Sequence, residues 1–397
     1  MNGAWRWYPA VAMQSHLHSA FASCPDRRET GSEKWDRWAG RDVLPMWVAD
    51  MDFRAPDVIL DRMRARVDHG VFGYTHEPPG FRPALCGHLA RRHGWEVDPD
   101  WIVAVPGVVT ALALTARLCA EPGDDILTFT PVYPPFLTLP GLAGRGCVRV
   151  PLVQESNGWS IDFDALAGAA SASRAQLLWL CHPHNPTGTV LSSEALLRVA
   201  DVAERHGITV VSDEIWADLV LDDDAGHVPF ASLDHPAARR AITLVAPSKT
   251  WNLAGLGCAA AIIRDESLRR RWRHAGGGLV PLVNPLGYAA AEAAWQHGDA
   301  WRRELLAILR HHRTLVLDRV AIMPGLSCHA WQATYLAWID CRATGNADPQ
   351  AACEAAGLGP SDGRDFGLPG FIRVNTACPT ARLRAALDRL ARAFPAT

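Results

Sequence analysis

Short apolar runs alternate with helical patterns through the central part of the chain, from about residue 52 to 290. Residues 177–181, 208–212 and 242–246 are continuous apolar runs of strand length, and residues 193–206 have the spacing of an amphipathic helix. Strands without polar alternation are typical of a parallel sheet that is covered on both faces. The pattern therefore predicts the α/β class, with a mostly parallel, doubly wound sheet in a large domain.

The C-terminal part has a different pattern. Residues 301–319 have the spacing of one long helix, and residues 334–339 and 371–375 alternate as strands of a half-buried sheet do. This mixture predicts a smaller α+β domain. The expected parts are an N-terminal extension with part of the small domain at 1–51, a large domain at 52–295 and a C-terminal small domain at 296–397.

Composition excludes several functional classes. The net charge is −3, which gives no electrostatic reason to expect a nucleic acid or a membrane as partner. The sequence has no run of 18 apolar residues, and its start lacks the basic and apolar regions of a signal peptide. Its ten cysteines are scattered without a CxxC pair, so we predict reduced thiols and no metal site. We expect a cytoplasmic enzyme that acts on a small molecule.

The chain has only two lysines, Lys34 and Lys249, so 37 of its 39 basic residues are arginines. A lysine amine can lose its proton and attack a carbonyl, whereas a guanidinium stays protonated. Lys249 lies between an apolar run and a glycine-rich segment, and we expect it to be the amine that is used chemically. Lys34 lies among other charged residues, and we expect it on a solvated loop.

Asn185, Asp213 and Lys249 each follow one of the three apolar runs. The carboxyl ends of parallel strands meet at one edge of a sheet, where doubly wound domains bind ligands. We therefore expect these three side chains to lie close together. An acid after a buried strand can also serve simply as a helix cap, and this alternative stays open for Asp213.

Two further segments favour a phosphate-bearing cofactor. Residues 106–110 lead from a predicted strand into a helix predicted at 111–119, and the free N–H groups of such a turn can hold a phosphate. Tyr133 lies on a loop with Pro131, Pro134 and Pro135. An ordinary strand-to-helix turn and a packing role for Tyr133 remain alternatives. The phosphate turn, the aromatic ring, the carboxylate and the amine follow one another along the chain, and this combination is much more specific than any one of them.

This set resembles the fold-type I enzymes that depend on pyridoxal 5′-phosphate (PLP), in the class I/II aminotransferase superfamily. Residues 28–36, 44–53, 72–74 and 371–375 are similar to the branch of cystathionine β-lyases and C–S lyases of the MalY/PatB type. The resemblance covers about residues 21–395. It implies the fold-type I transferase fold, with a large PLP-binding domain and a small domain.

The resemblance also implies roles at the cofactor. Lys249 would bind PLP covalently and move the Cα proton, and Asp213 would pair with the ring nitrogen. Asn185 would contact the 3′-oxygen of the ring and the substrate, and Tyr133 would stack on the ring and assist catalysis. The remaining cofactor contacts would be the backbone N–H groups of Val108 and Val109, the hydroxyl of Ser248, the side chain of Trp216 and, from a neighbouring subunit, Tyr74.

Arg373 would bind the substrate carboxylate, and residues 47–50 would line the substrate mouth. The contribution of Tyr74 implies a homodimer. One departure concerns Trp216, because the family usually has His or Tyr there, and an indole N–H can donate a hydrogen bond but cannot accept one or titrate. A second difference is Cys258, near a position where many aminotransferases have a phosphate-binding arginine.

The function implied by the resemblance is β-elimination from L-cystathionine or another L-cysteine S-conjugate, which yields a thiol, pyruvate and ammonia. Transamination or a decarboxylation-coupled deamination would use the same Lys249, Asp213 and Arg373, so the motifs leave these enzymatic alternatives open. A regulatory binding role is a further alternative. Loss of a catalytic residue would favour it, and none of the expected residues is missing.

Overall fold

Helices and strands alternate along most of the chain in a computed structural model that describes residues 21–222, 225–276 and 280–395. Residues 1–20 of the predicted N-terminal extension lie outside the described residues. The helices are α1 Glu33–Asp36, α2 Asp57–Asp68, α3 Phe81–His93, α4 Val108–Leu118, α5 Pro135–Leu142, α6 Phe163–Ala172, α7 Ser193–Arg205, α8 Pro236–Arg239, α9 Glu266–Gly276, α10 Pro285–His297, α11 Asp299–Ala321, α12 Pro349–Ala355 and α13 Thr380–Ala393. The strands are β1 Leu44–Pro45, β2 Ile102–Val105, β3 Asp125–Thr130, β4 Gly146–Glu155, β5 Gly158–Ile161, β6 Ala175–Cys181, β7 Thr209–Asp213, β8 Ile242–Val245, β9 Ala259–Ile263, β10 Ser327–Cys328, β11 Leu336–Asp340, β12 Leu358–Gly359, β13 Ser361–Asp362 and β14 Phe371–Asn375.

The largest sheet has the strand order β2-β9-β8-β7-β6-β3-β4-β5. Its five neighbouring strands β8, β7, β6, β3 and β4 are parallel to one another. Toward the edges, β9 pairs antiparallel with β8, β2 pairs antiparallel with β9, and β5 pairs antiparallel with β4. Strands β3, β6, β7 and β8 are almost wholly buried because helices cover both faces of the sheet, as continuous apolar runs predict, whereas β4 is only partly buried. The predicted α/β class is confirmed.

A second sheet, with the order β10-β11-β14-β13, is antiparallel and lies in the C-terminal part of the chain. Strand β14 is buried along its whole length between β11 and β13. The short strand β1 pairs in parallel with β12, so the segment before the large sheet packs against the C-terminal part. No helix of the described residues has the length and apolar character needed to span a membrane.

Element boundaries differ from the predicted ones where capping or backbone geometry decides them. The helix predicted to begin at residue 111 begins at Val108, because Gly107, with an extended backbone, is already the N-cap residue. The strand predicted from residue 334 begins at Leu336, because Thr334 has a φ of 76° and its hydroxyl accepts a hydrogen bond from the Leu336 N–H at 3.1 Å. Local hydrogen bonds of this kind end a strand that apolar alternation alone would extend.

Candidate active site

Three neighbouring parallel strands end at the same edge of the large sheet. Cys181 at the end of β6 lies opposite Asp213 of β7, and Asp213 lies opposite Leu244 of β8. The turns that follow these strands carry Asn185 and Lys249. The predicted convergence of polar residues at this edge therefore has a direct cause in the strand register.

Lys249 is half-buried, and its Nζ donates a hydrogen bond to the carbonyl oxygen of Ala49 at 2.8 Å. The same Nζ lies 5.6 Å from the centroid of the Trp216 ring. Burial lowers the pKa of Lys249 to about 8, and the positive charge of Arg373 adds to that effect against the opposing charges of Asp50 and Asp213. A larger fraction of neutral amine is thus present near neutral pH than in an ordinary lysine, as a nucleophile or base requires.

Asp213 is the second buried ionisable group at this edge. Burial raises its pKa to about 7, and the charge of Lys249 opposes this shift. Its carboxylate accepts one hydrogen bond, from the Ile215 backbone N–H at 3.2 Å, and has no side-chain partner among the described residues. The neighbouring Glu214 instead bonds Ser212 at 2.8 Å and His227 at 2.9 Å. Asp213 is therefore the acid that remains available for a ligand.

Arg373 on β14 is buried, and the described residues place no carboxylate within salt-bridge distance of its guanidinium. It donates to Asn185 Oδ1 at 2.9 Å, to the Trp47 carbonyl at 2.8 Å and to Ser361 Oγ at 3.2 Å, while its Nε has no partner there. Burial lowers its pKa to about 10. A buried guanidinium held only by neutral groups is suited to an anionic ligand, and a carboxylate is the simplest one.

Lys249, Tyr133 and Arg373 line one cavity of about 430 Å³. Burial raises the pKa of the Tyr133 phenol, so it is a neutral hydrogen-bond donor at neutral pH. The Tyr133 backbone N–H donates to the Asn185 carbonyl at 3.1 Å, which connects the two loops. The cavity is also lined by side chains that the sequence analysis did not predict, namely Glu33, Arg37, Ser361, Asp365 and Phe366.

The 47–53 segment contributes Trp47, Val48 and Ala49 to one wall of the cavity, which are three of the four residues predicted at 47–50. Consecutive carbonyl groups of this segment accept hydrogen bonds from side chains of other elements, which fixes an irregular backbone without a sheet. These bonds run from Arg373 and Ser361 to Trp47, from Asn375 to Val48 and Asp50, from Lys249 and Tyr335 to Ala49, from Lys34 to Asp50, and from Arg27 and Asn252 to Met51.

Lys34 corrects one expectation, because it is completely buried and not on a solvated loop. Its Nζ lies 3.0 Å from Asp52 Oδ1, and Asp52 is also 2.7 Å from Arg382 and 3.2 Å from Arg27. Burial alone would raise the pKa of Asp52, but Lys34, Trp35 and Arg382 hold it below its usual value. Lys34 is buried together with Trp38 on one face of the turn that begins with α1, and this four-residue spacing is the signal that was missed.

The predicted phosphate turn lies at the start of α4. Helix α4 begins at Val108, followed by the half-exposed Val109, and no side chain caps it. The Ser248 hydroxyl, next to Lys249, makes no hydrogen bond within the described residues. A Cβ on Gly257, whose φ is 57°, would lie 3.1 Å from the Pro106 carbonyl, so the turn after Lys249 packs closely against the turn before α4. The uncapped N–H groups and the hydroxyl are suitable donors for a phosphate.

Trp216 and Tyr74 occupy very different environments. Trp216 is buried below Lys249 and makes an edge-to-face contact with Tyr335 at 4.9 Å between ring centroids. Its indole nitrogen has no hydrogen-bond partner in the described part of the chain. Tyr74 is wholly exposed on a loop with Phe72, which is 55% exposed, and it does not reach the cavity of its own chain.

The donor set fits PLP in its separate parts. A neutralisable amine at Lys249, a buried carboxylate at Asp213 and an aromatic ring at Tyr133 suit an aldehyde, a ring nitrogen and a pyridine face, respectively. The uncapped helix start at Val108 and the free hydroxyl of Ser248 suit a phosphate. These groups come from different elements that meet at one sheet edge.

Comparisons with known proteins agree with this chemistry. The family model described as aminotransferase class I and II matches residues 43–390. The chain is 38% identical to cystathionine beta-lyase PatB of Bacillus subtilis, over 92% of this chain and 98% of PatB. The crystal structure of OvoB is similar with a TM-score of 0.92 and 42% identity, over 95% of this chain and 99% of that one. Cystalysin of Treponema denticola, solved with PLP, has a TM-score of 0.89 and 30% identity, over 94% and 98% of the two chains.

Proposed function

Because the chain belongs to the aminotransferase class I and II family, we propose that it is a PLP-dependent C–S β-lyase that cleaves L-cystathionine or another L-cysteine S-conjugate. The predicted family and fold-type I fold are confirmed by the family match and by the structural neighbours. PLP as cofactor and carbon–sulfur bond cleavage are supported by the relatives named above. The observation that carries the proposal is the single cavity that joins Lys249, Tyr133 and Arg373.

Each residue of the site has a task in this reaction. When bound, PLP holds the substrate amino group and takes up the electron pair of the Cα–H bond. Asp213, buried and without a cationic side-chain partner within hydrogen-bond distance, would pair with the ring nitrogen and keep it protonated. Asn185 would contact the 3′-oxygen of the ring, and Tyr133 would stack on the ring face. The N–H groups at the start of α4, at Val108 and Val109, would hold the phosphate together with the neighbouring Ser248 hydroxyl.

Lys249 and Arg373 would act on the substrate itself. Arg373 would bind the α-carboxylate bidentately, since its guanidinium has no carboxylate partner of its own among the described residues. Lys249 would then remove the Cα proton as a general base, for which a pKa near 8 is well placed. The Cβ–S bond breaks, the sulfur leaves with the bonding electron pair and gains a proton, and the Tyr133 hydroxyl is a candidate donor. The remaining fragment reacts with water to give pyruvate and ammonia.

Trp216 is the residue that distinguishes this site from the usual family pattern. It lies below Lys249, with Nζ 5.6 Å from its ring centroid, and its indole nitrogen has no partner in the described part of the chain. We propose that the indole N–H donates to the 3′-oxygen in place of His or Tyr. An indole cannot release a proton, so this contact would stay unchanged over the working pH range.

A homodimer completes the proposed site. Tyr74 is fully exposed in one chain, on a loop with exposed Val71 and Phe72, although it resembles the tyrosine that contacts the phosphate of the neighbouring subunit. Exposed large side chains on one loop are typical of a contact surface. We therefore propose that Tyr74 of each chain serves the cavity of the other, in a soluble, cytoplasmic homodimer whose small domains would begin near residue 296.

The direct test is product analysis with L-cystathionine. We expect the purified protein to absorb visible light through its cofactor, and to release a thiol, pyruvate and ammonia in equal amounts. Formation of a 2-oxo acid that keeps the sulfur substituent, without thiol release, would show transamination and overturn the lyase assignment. Visible absorbance without turnover of any cysteine conjugate would favour the binding role.

The dimer is tested by mixing two inactive variants. Lys249→Ala and Tyr74→Ala homodimers each have two damaged sites. A mixed dimer has one site that combines an intact Lys249 with the intact Tyr74 of the other chain, so subunit exchange should restore activity. No recovery in a mixture shown to contain mixed dimers would contradict the shared site.

A further inference from the structure

A cluster of titratable side chains lies outside the proposed active site. His88 and His93 are on the last part of α3, and Asp218 is in the short turn Ala217–Leu219 that follows β7. The exposed fractions of these side chains are 7%, 4% and 9%, respectively. Two imidazoles and a carboxylate thus share a buried position, although the sequence pattern did not mark them as a group and predicted no metal site.

The ligand atoms of this cluster have the spacing of a metal site. His88 Nε2 lies 2.9 Å from Asp218 Oδ2, and His93 Nε2 lies 3.4 Å from Asp218 Oδ1. One ligand atom of each residue lies within 4.8 Å of the other two. Ligands of tetrahedral Zn²⁺ at about 2.0–2.1 Å from the ion are separated from one another by roughly 3.4 Å. We propose that His88, His93 and Asp218 bind one divalent transition-metal cation of the zinc type.

A neighbouring histidine supports this assignment. The His227 ring centroid is 5.1 Å from that of His93, and His227 Nε2 lies 2.9 Å from Glu214 Oε2. Its Nδ1 is buried without a partner in the described part of the chain. A histidine that binds a metal commonly donates one ring N–H to a carboxylate and uses its other ring nitrogen for the metal. His227 has this arrangement. His227 therefore lies beside the three-residue site and would support His93 through the contact between their rings.

The charges around the cluster are compatible with a cation. Two guanidinium groups lie close to the cluster: Arg302 donates to the Asp218 backbone carbonyl at 3.2 Å, and Arg92 interacts electrostatically with Asp218. The Arg302 side chain also pairs with Asp299 at 2.9 Å, which offsets its charge. Among the described residues, the side-chain partners of the Asp218 carboxylate are the two histidines. A bound cation would connect α3 to the loop that carries Trp216, two residues before Asp218, so the role would be structural.

The test uses the holoenzyme after treatment with a chelator and removal of that chelator. Zn²⁺ affinity and stoichiometry are measured by competition with a chromophoric chelator, in the wild type and in the variants His93→Gln, Asp218→Asn and His274→Gln. His274 is an exposed histidine of α9 and serves as the matched control. We expect one tight site per chain in the wild type and in the control, and at least ~10–100-fold weaker binding in the other two.

Zn²⁺ should also raise the unfolding midpoint of the wild type and the control but not that of the site variants, because a ligand that binds only the folded state stabilises it. Equal Zn²⁺ affinity in all four proteins would overturn the proposal, since the binding groups would then lie elsewhere in the chain. If the site variants do not fold, X-ray absorption of the Zn²⁺-loaded wild type decides. Nitrogen and oxygen ligands at about 2.0 Å support the site, and sulfur ligands at about 2.3 Å overturn it.

Discussion

The two lysines of the chain both donate hydrogen bonds to carbonyl groups of the 47–53 segment, and they mark two regions of different physical character. Lys249 follows a parallel strand and donates to the Ala49 carbonyl, whereas Lys34 donates to the Asp50 carbonyl and pairs with Asp52. Around Lys249 the ionisable groups are buried without ionic partners within hydrogen-bond distance. Around Lys34 each charge is matched by an opposite one. The first region keeps its groups available for a ligand, and the second holds the wall in place.

Strand ends and side-chain networks therefore position the residues of the site in different ways. The strands fix Asp213 and Lys249 through a register that many buried apolar residues maintain, so a substitution there removes chemistry without removing the frame. The 47–53 segment has no such frame. Its carbonyls are held by Asn375, Lys34 and other side chains from distant parts of the chain, so substitutions there are expected to reduce stability and the positioning of the wall.

The largest expected effect is that of Lys249→Ala. Without the amine we expect the β-elimination rate to fall by at least about 10³-fold, because both cofactor attachment and Cα proton transfer are lost. Ala49 keeps its hydrogen bond from Tyr335 at 3.0 Å, so the free energy of unfolding of the apoprotein should change by less than about 1 kcal/mol. The measurements are pyruvate release and urea unfolding of the apoprotein.

Covalent labelling makes the same comparison sharper. Borohydride treatment of the protein with PLP, followed by peptide mass analysis, should place the cofactor on Lys249 alone. The variant Lys34→Met should keep this label. Label on Lys34 in the wild type would contradict the division between the two regions.

The second prediction concerns Lys34→Met, which is expected to lower the free energy of unfolding by about 2–3 kcal/mol. Removing one member of a buried ion pair leaves its partner with less compensation. The loss stays below that of an isolated pair because Asp52 keeps Arg382 at 2.7 Å and Arg27 at 3.2 Å. The matched control is Arg28→Met, which removes an exposed pair with Asp26 and should lower the free energy of unfolding far less. Equal losses in both variants would show that the buried network does not stabilise the wall.

The sequence predicts the residues at the strand ends better than the residues that side-chain networks hold. Asn185, Asp213 and Lys249 could be found because each follows an apolar run, and parallel strands bring their ends together. The spacing of Lys34 and Trp38 indicated a buried face, but the ion pairs that allow Lys34 to be buried could not be predicted, since they include Arg382, which lies far away in the sequence. The cavity-lining Ser361 was missed for a similar reason, because it depends on how the short strand β13 packs.

The third prediction tests Arg373, which joins the two regions through Asn185 and the Trp47 carbonyl. Arg373→Lys keeps the positive charge but cannot make the planar pair of hydrogen bonds to a carboxylate. We expect KM for L-cystathionine to rise by about 10–100-fold, with a smaller change in kcat. Steady-state kinetics measure both values. The control Arg319→Lys changes an exposed pair with Asp388 and should leave KM unaltered. A lower kcat with unchanged KM would assign Arg373 to the wall and not to the substrate.

The smallest expected effect is that of Asp213→Asn on the stability of the apoprotein. Burial of Asp213 makes the free energy of unfolding depend on pH, and the variant should lose this dependence. The pKa of Asp213 is raised to about 7 from an ordinary value near 3.8, so the folded state binds the proton more tightly than the unfolded state does. The contribution of this group to stability is therefore greatest at about pH 4 and is lost as the pH rises through about 7. Asp213→Asn has no such titration and keeps an oxygen for the Ile215 N–H.

Relative to the wild type, the Asp213→Asn apoprotein should gain stability as the pH rises from 4 to 8, although the holoenzyme loses activity. Glu214 titrates in a similar range, but it is present in both proteins, so its contribution cancels in the difference. Urea unfolding at several pH values measures the gain, and Asp234→Asn, at an exposed position, should show none. A stability difference that does not change with pH would mean that Asp213 is already compensated in the folded apoprotein. The ionisable groups at the sheet edge would then be compensated in the same way as the paired charges around Lys34, and the two regions would not differ in this respect.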